Sequence, residues 1–464
     1  MEQTVTGIDS VVSFRNSQGV RGRGTLVHIT RSMAVFEVYN PFSVVQLSEV
    51  MQEVIISRGE RVIYRGKGVV TSIVTTGLMT IVSATFTDSW SDPGSLRPGK
   101  SLESEIEDFI NGWEKGHDLS PSYQLIVNKM GNFFAEISRW IEEVEVALLE
   151  DSRRNQVSEE SFRNSIERPV IGKVGEFFRL FENEARKIPP EEVPVYKAFA
   201  RRELHPFLLC APFAHRTFSK PLGYAGDYEM VNMMLQESPT RGNNTYAQIF
   251  QDIQTNVAAC KAHRNRIDFL QSNLSREAER VQSEMRACNI LNVGCGPAVE
   301  VQRFIREDEE SEECVFTLMD FNEETLAYTQ GRVKAAIQDS GRQPVMKFVQ
   351  RSIDELLKDV HDQKEEIVPT YDIVYCAGLF DYFPDNVCRN LVSLYYRWVK
   401  PGGLLMATNV TPHNPDRCTM EHLLEWYLIY RDEETMASLA PSGTSPQIET
   451  DETGVNVFLS IRKP

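Results

Sequence analysis

An apolar run at 288–293, Cys-Asn-Ile-Leu-Asn-Val, passes directly into Gly294-Cys295-Gly296-Pro297 and then into a helical stretch at 298–307. This order of strand, glycine turn and helix constrains the fold more than any other feature. The glycines let main chain approach a ligand closely, and the first turn of the helix presents unpaired N–H groups. The next apolar strand, 315–319, ends in Asp320, an acid placed where it can accept hydrogen bonds from ribose hydroxyls. A dinucleotide site would share both features. Here, however, the third glycine of G-x-G-x-x-G is Val299, so a pyrophosphate is less well served.

Residues 347–349 read as a third strand leading to Arg351-Ser352-Ile353-Asp354, and 371–376 as a fourth leading to Ala377-Gly378-Leu379-Phe380-Asp381-Tyr382. An amphipathic stretch at 391–399 ends at Lys400-Pro401-Gly402-Gly403, before a fifth strand at 404–409. Alternating strands and helices joined by short turns predict a parallel sheet with its ligand at the strands' carboxyl ends. The run 289–409 resembles a class I methyltransferase, with 455–461 as the antiparallel last strand. That resemblance implies a Rossmann-like seven-stranded sheet that binds S-adenosylmethionine. It implies that Gly294 and Gly296 line the methionyl part of the cofactor, that Asp320 holds the ribose and that Phe321 flanks the adenine. Ser352 and Ile353 would contact the adenine edge, and Cys376 and Ala377 would lie beside the sulfonium.

At 464 residues the chain needs two or three cores, and a multidomain α/β architecture is expected. Residues 9–90 carry short segments rich in Val, Ile, Thr and Phe, at 23–28, 33–38, 54–56, 61–64, 68–73 and 79–86, and predict a small β-barrel over 1–90. This stretch resembles the PilZ barrel, in which an arginine-rich lead-in and a D/N-x-S-x-x-G motif often bind a cyclic dinucleotide. Arg21 and Arg23 could stand for the lead-in, but the motif reads His28-Ile29-Thr30-Arg31-Ser32-Met33, with acid, serine and glycine all replaced. The barrel is therefore read as a docking or regulatory module rather than a nucleotide binder. A linker composition marks 91–102, a helical substrate or cap domain follows over 103–285, and the cofactor domain occupies 286–464. In the helical part, Tyr123, Val127, Met130, Phe133, Phe134, Ile137, Trp140, Ile141, Val144 and Leu148 form one broad stripe, expected to pack between helices.

The formal charge of −17 disfavours non-specific binding to nucleic acid, which selects a basic face. The eight cysteines lack C-x-x-C spacing, so free thiols are expected rather than disulfides or a metal knuckle. There is no long apolar run, and Met1-Glu2-Gln3-Thr4 lacks an export signal's charged and apolar regions, so a cytoplasmic enzyme without a transmembrane segment is expected.

The acceptor is addressed by the polar segment Ser219-Lys220-Pro221-Leu222-Gly223-Tyr224-Ala225-Gly226-Asp227-Tyr228-Glu229-Met230, which can equally be a helix-connecting turn with an aspartate cap. With Glu425-Trp426-Tyr427-Leu428-Ile429-Tyr430-Arg431, it resembles the bacterial extracellular-factor, or 3-hydroxypalmitic acid methyl ester, biosynthesis methyltransferases over 105–464. The resemblance implies methylation of a 3-hydroxy fatty acid carboxylate to give a diffusible ester signal. A carboxylate needs positioning and desolvation rather than a base. Tyr224, Tyr228, Tyr382, Tyr430 and Arg431 are the candidates for orienting it, with the helical stripe covering an acyl chain. Asp227 is a candidate for the cofactor's ammonium. His215, His413 and His422 are read as structural, with His413 the base if the nucleophile were a hydroxyl or amine. Two other readings stay open: a cyclase that folds adenosylmethionine onto itself to make a small cyclic amino acid, and a non-catalytic sensor of adenosylmethionine.

Overall fold

The structure is a computed structural model that describes residues 3–4, 10–30, 32–38, 45–58, 61–76, 79–88, 107, 110, 119–152, 159–361 and 368–464. The linker expected at 91–102 lies outside them. The first strands are β1 (Gln3–Thr4), β2 (Ser10–Arg15), β3 (Arg21–Ile29), β4 (Met33–Val38), β5 (Val50–Arg58), β6 (Arg61–Thr76) and β7 (Met79–Phe86). All pair antiparallel in the order β1-β3-β2-β5-β6-β7-β4, and a further β3–β4 pairing closes β2 to β7 into a barrel. Burial alternates residue by residue along β2 and β4, as a pleated strand with one face inward requires.

The structure adds β2 to the segments read from sequence and fuses two of them, 61–64 and 68–73, into the single strand β6. Gly66, which falls between the two segments, is a site of close approach within the strand. A Cβ on Gly66 would come within 2.6 Å of the Tyr64 hydroxyl.

In the helical region the stripe is core. Tyr123, Val127, Met130, Phe134 and Ile141 are buried against Val174, Phe181 and Phe250, Phe133 and Ile137 pack there partly buried, and Trp140 is 45% exposed. Aromatic rings seal the packing, with Phe134 edge-on to Phe250 at 5.0 Å. Among the described residues no helix is long and apolar enough to cross a membrane.

The second sheet comprises β8 (Cys288–Val293), β9 (Cys314–Asp320), β10 (Val345–Gln350), β11 (Tyr371–Cys376), β12 (Val399–Val410), β13 (Gln447–Thr450) and β14 (Asn456–Arg462). Its order is β10-β9-β8-β11-β12-β14-β13, with β14 antiparallel to both neighbours. Strand order reverses between β8 and β11, which opens a crevice at their carboxyl ends. The helix Ala258–Gln282 packs on this sheet through Leu270, Leu274, Ala278 and Val281, so part of the sheet's core comes from upstream of residue 286.

After β12 the chain crosses to the other two units. Trp426 and Leu428 pack into the helical core, whereas Tyr427 and Ile429 pack into the barrel. An extended segment shows alternate residues to opposite sides, so one stretch can bind both units at once.

Candidate active site

The glycine turn after β8 is pinned to the end of β9. Gly294 and Gly296 take positive φ values of 70° and 51°, and the N–H groups of Gly294 and Cys295 both donate to the Met319 carbonyl at 2.9 Å. The Asp320 carboxylate accepts from Gly296 N at 3.0 Å through one oxygen and from Asn322 N at 3.0 Å through the other. Burial pushes this carboxyl above its usual range, against those two hydrogen bonds. Each oxygen keeps lone-pair capacity for a further donor.

A cavity of about 1090 Å³, counted to its open mouth, lies over these strand ends. Gly294, Gly296, Asp320, Phe321 and Ala377 are on its wall, with Tyr224, Tyr228 and Tyr382. The Tyr224 ring lies 5.0 Å from Phe321 and its hydroxyl 3.3 Å from Thr325 Oγ1. Tyr228 stacks on Tyr328 at 4.4 Å and donates to Glu324 at 2.9 Å. The Tyr382 hydroxyl accepts from the Trp426 indole N–H at 3.0 Å, so its own proton is free to be donated. Burial first, and the Asp381 charge second, hold Tyr382 protonated well above the ordinary tyrosine range.

Six expected site residues are placed elsewhere. Asp227 is not on the wall: it caps the helix Tyr228–Met234 by accepting from Met230 N at 2.9 Å and pairs with Arg216 at 2.8 Å. Ser352 is spent on a capping box, its N–H and hydroxyl both donating to Glu355 at 2.9 and 3.1 Å. That Ser-x-x-Glu pattern was readable in the sequence. Ile353 is buried among Leu291, Val293 and Met319. Cys376 points to the opposite face of β11 from Ala377, into the cluster with Phe380 and Cys388. Tyr430 is half-buried off the wall, under the Arg417 guanidinium at 4.5 Å from its ring.

Arg431 departs furthest from expectation. Its side chain is fully buried, and its N–H groups go to Asp385, the Phe380 and Phe383 carbonyls and Asn409 Oδ1 at 2.6–2.9 Å. A guanidinium has five donors, and these contacts use them all. Arg431 is a staple between the end of β12 and the turn after β11, with no donor left for a substrate.

The structure also brings in residues with no role expected from sequence: His263, Arg266 and Glu300, with Asp381 and Trp426 from within the quoted motifs. His263 and Arg266 sit on the buried face of their helix with Ile267, Leu270 and Leu274. Polar residues at positions of an apolar stripe were the signal that could have found them. Arg266 is 5% exposed, its Nε and Nη1 have no protein partner, and it is the single Lys or Arg on the cavity wall among the described residues. Three carboxyls share that wall: Glu300, Asp320 and Asp381, each pushed up by burial. Glu300 accepts from Asn292 at 2.9 Å and from Tyr375 at 2.8 Å, and Asp381 accepts from Val410 N at 2.7 Å. Burial, with Arg266 beside it, drives His263 well below the ordinary imidazole range.

Residues 290–403 match the family described as a methyltransferase domain. These residues of the chain form a methyltransferase domain. Among solved structures, the chain is similar to a possible exported protein from Bordetella parapertussis, at 17% identity over 54% of this chain and 86% of that one, with a TM-score of 0.42. It is also similar to magnesium protoporphyrin IX methyltransferase from Synechocystis PCC 6803, at 9% identity over 44% and 87%, TM-score 0.32. A third is the N-methyltransferase NodS from Bradyrhizobium japonicum WM9, at 15% identity over 44% and 87%, TM-score 0.30. No curated protein matches the chain.

The wall of the cavity fits S-adenosylmethionine. Adenosylmethionine carries two positive groups, sulfonium and ammonium, and one carboxylate. Three carboxyls and one unpartnered guanidinium are the complementary set.

Proposed function

We propose that this methyltransferase esterifies the carboxylate of a 3-hydroxy fatty acid. When bound, S-adenosylmethionine supplies an electrophilic methyl group on sulfur. Gly294 and Gly296 give the cofactor's methionyl part close main-chain approach, Asp320 accepts from the ribose, and Phe321 with Tyr224 flanks the adenine. Arg266 holds the cofactor's carboxylate. The acceptor lies beyond the ends of β11 and β12, where Ala377, Tyr382, Trp426, Val410 and Leu428 form the wall.

One observation carries the choice of a carboxylate: on the acceptor side the Tyr382 hydroxyl, its oxygen occupied by the Trp426 indole N–H at 3.0 Å, presents a proton to donate rather than a site to take one. Tyr382 is held protonated and His263 is too weakly basic. A carboxylate is already ionised, so this wall has only to orient it and exclude water. Tyr382 donates to the acceptor's oxygen, and its own oxygen is fixed by Trp426. The acyl chain runs along Leu47, Val410 and Leu428 rather than along the helical stripe, which is buried in its own core.

The test is mass spectrometry of the protein incubated with adenosylmethionine and 3-hydroxy fatty acids. Methyl ester together with S-adenosylhomocysteine is expected. Methylthioadenosine without any ester would replace this reading with the cyclase.

A further inference from the structure

We infer that the N-terminal barrel supplies the acceptor end of the cavity, through Gln46 and Leu47, and thereby selects which acceptor the enzyme methylates. The inference rests on the reading of the β11 and β12 ends as the acceptor side.

Residues 45–49, which lead into β5, reach the cavity wall. Gln46 and Leu47 line the cavity with Tyr382, Val410, Trp426 and Leu428. The connection is held from both sides. On the enzyme side, Leu47 N donates to the Tyr382 carbonyl at 3.3 Å and Val50 N to the Gly223 carbonyl at 2.6 Å. Ser48, fully buried and in the left-handed region at φ 63°, donates through its hydroxyl to the Tyr427 carbonyl at 3.0 Å and accepts from Tyr427 N. On the barrel side, Ser48 N donates to the Val70 carbonyl at 2.8 Å, and the buried Glu49 carboxylate accepts from Gln46 N at 2.8 Å and from the Ser17 hydroxyl at 2.9 Å.

A non-glycine residue held at positive φ and hydrogen bonds in both directions make residues 45–49 a built joint. The contacts that hold it are made by main chain, Ser48 and Glu49. The Leu47 side chain makes none of these hydrogen bonds: it packs with the barrel's apolar core and shows to the cavity, so a change in its shape leaves them in place. An apolar acceptor approaching the reacting centre meets that side chain, and in such pockets the difference of one or a few methylenes already separates substrates by about tenfold or more.

The experiment uses the full-length enzyme with Leu47→Ala and Leu47→Trp. Wild type and variants are incubated with methyl-tritiated adenosylmethionine and either a series of 3-hydroxy fatty acids of increasing length or a whole-cell lipid extract, and labelled products are resolved by chromatography. Cofactor affinity, measured by calorimetry, is expected to stay within about twofold of wild type and reports that each variant is folded. The ratio of long to short products is expected to rise at least fivefold in Leu47→Ala and to fall as much in Leu47→Trp. Identical product distributions in all three proteins would overturn the inference. Should the fatty acids give no ester while products labelled from the extract still change between variants, the acceptor assignment fails and the role of the barrel stands. If Leu47→Trp loses cofactor affinity, Leu47→Met takes its place, with a smaller shift in the same direction.

Discussion

Arg266 lies so close over Gly378 that a Cβ there would come within 2.8 Å of its Nη1. Gly378 also takes a φ of 81°, where a side chain is strained. Helix 258–282 and the turn after β11 thus meet with no room for a side chain between them, and the guanidinium is left facing the cavity.

If Arg266 holds the cofactor's carboxylate, Arg266→Gln weakens adenosylmethionine binding by about 10- to 100-fold, the range of a hydrogen bond to a charged group. Decarboxylated adenosylmethionine, which lacks the partner, binds variant and wild type alike. Calorimetry with both ligands checks this, and equal losses for the two would assign Arg266 to structure instead. Gly378→Ala displaces the same guanidinium and is expected to follow Arg266→Gln.

Tyr382→Phe removes the proton that the Trp426 contact leaves free. Turnover with a carboxylate acceptor is expected to fall about tenfold at unchanged cofactor affinity. Neither Tyr382 nor His263 is expected to add a limb to the pH profile of kcat around neutral pH, because Tyr382 titrates well above it and His263 below it. His263→Ala leaves the profile unchanged. A basic limb near pH 7 that disappears in His263→Ala would instead point to a hydroxyl acceptor.

Arg431→Ala is a stability variant. Two main-chain carbonyls, Asn409 and Asp385 lose their donors at a fully buried position, which costs about 3 kcal/mol or more. A lower urea midpoint is expected, with cofactor affinity retained by the folded fraction. Normal stability with lost turnover would return Arg431 to the substrate.

Burial raises the Glu49 carboxyl from 4.5 to about 7. A folded-state pKa above the unfolded one means that the folded protein binds more protons between those values. Stability is then full below about pH 4.5 and is lost as pH rises through about 7, by an order of about 3 kcal/mol. Glu300, Asp320 and Asp381 have the same sign. Comparison with Glu49→Gln therefore isolates the contribution: melting temperatures from pH 5 to 8 should fall less steeply in the variant, and parallel curves would remove Glu49 as a source.

The cofactor half of the site was legible because its signals are local. A strand, a glycine turn and an acid at the next strand's end lie within one stretch of chain, and Gly294, Gly296, Asp320, Phe321 and Ala377 all reach the cavity. Where expectation failed, local chemistry had a second use: Asp227 and Ser352 cap helices, and Cys376 sits one residue out of phase with the open face of β11. Arg431 looked like a substrate ligand because a sequence does not say whether five donors are already taken.

The sequence by itself determined the alternation of strand and helix that builds the second sheet and the glycine turn at its carboxyl edge, because pattern and turn chemistry act between neighbours in the chain. Only the tertiary structure decided the rest. Arg266 from an upstream helix, Trp426 from the segment after β12 and Leu47 from the barrel converge on one cavity. Which side chains share a wall depends on how distant elements pack, and no stretch of chain encodes that alone.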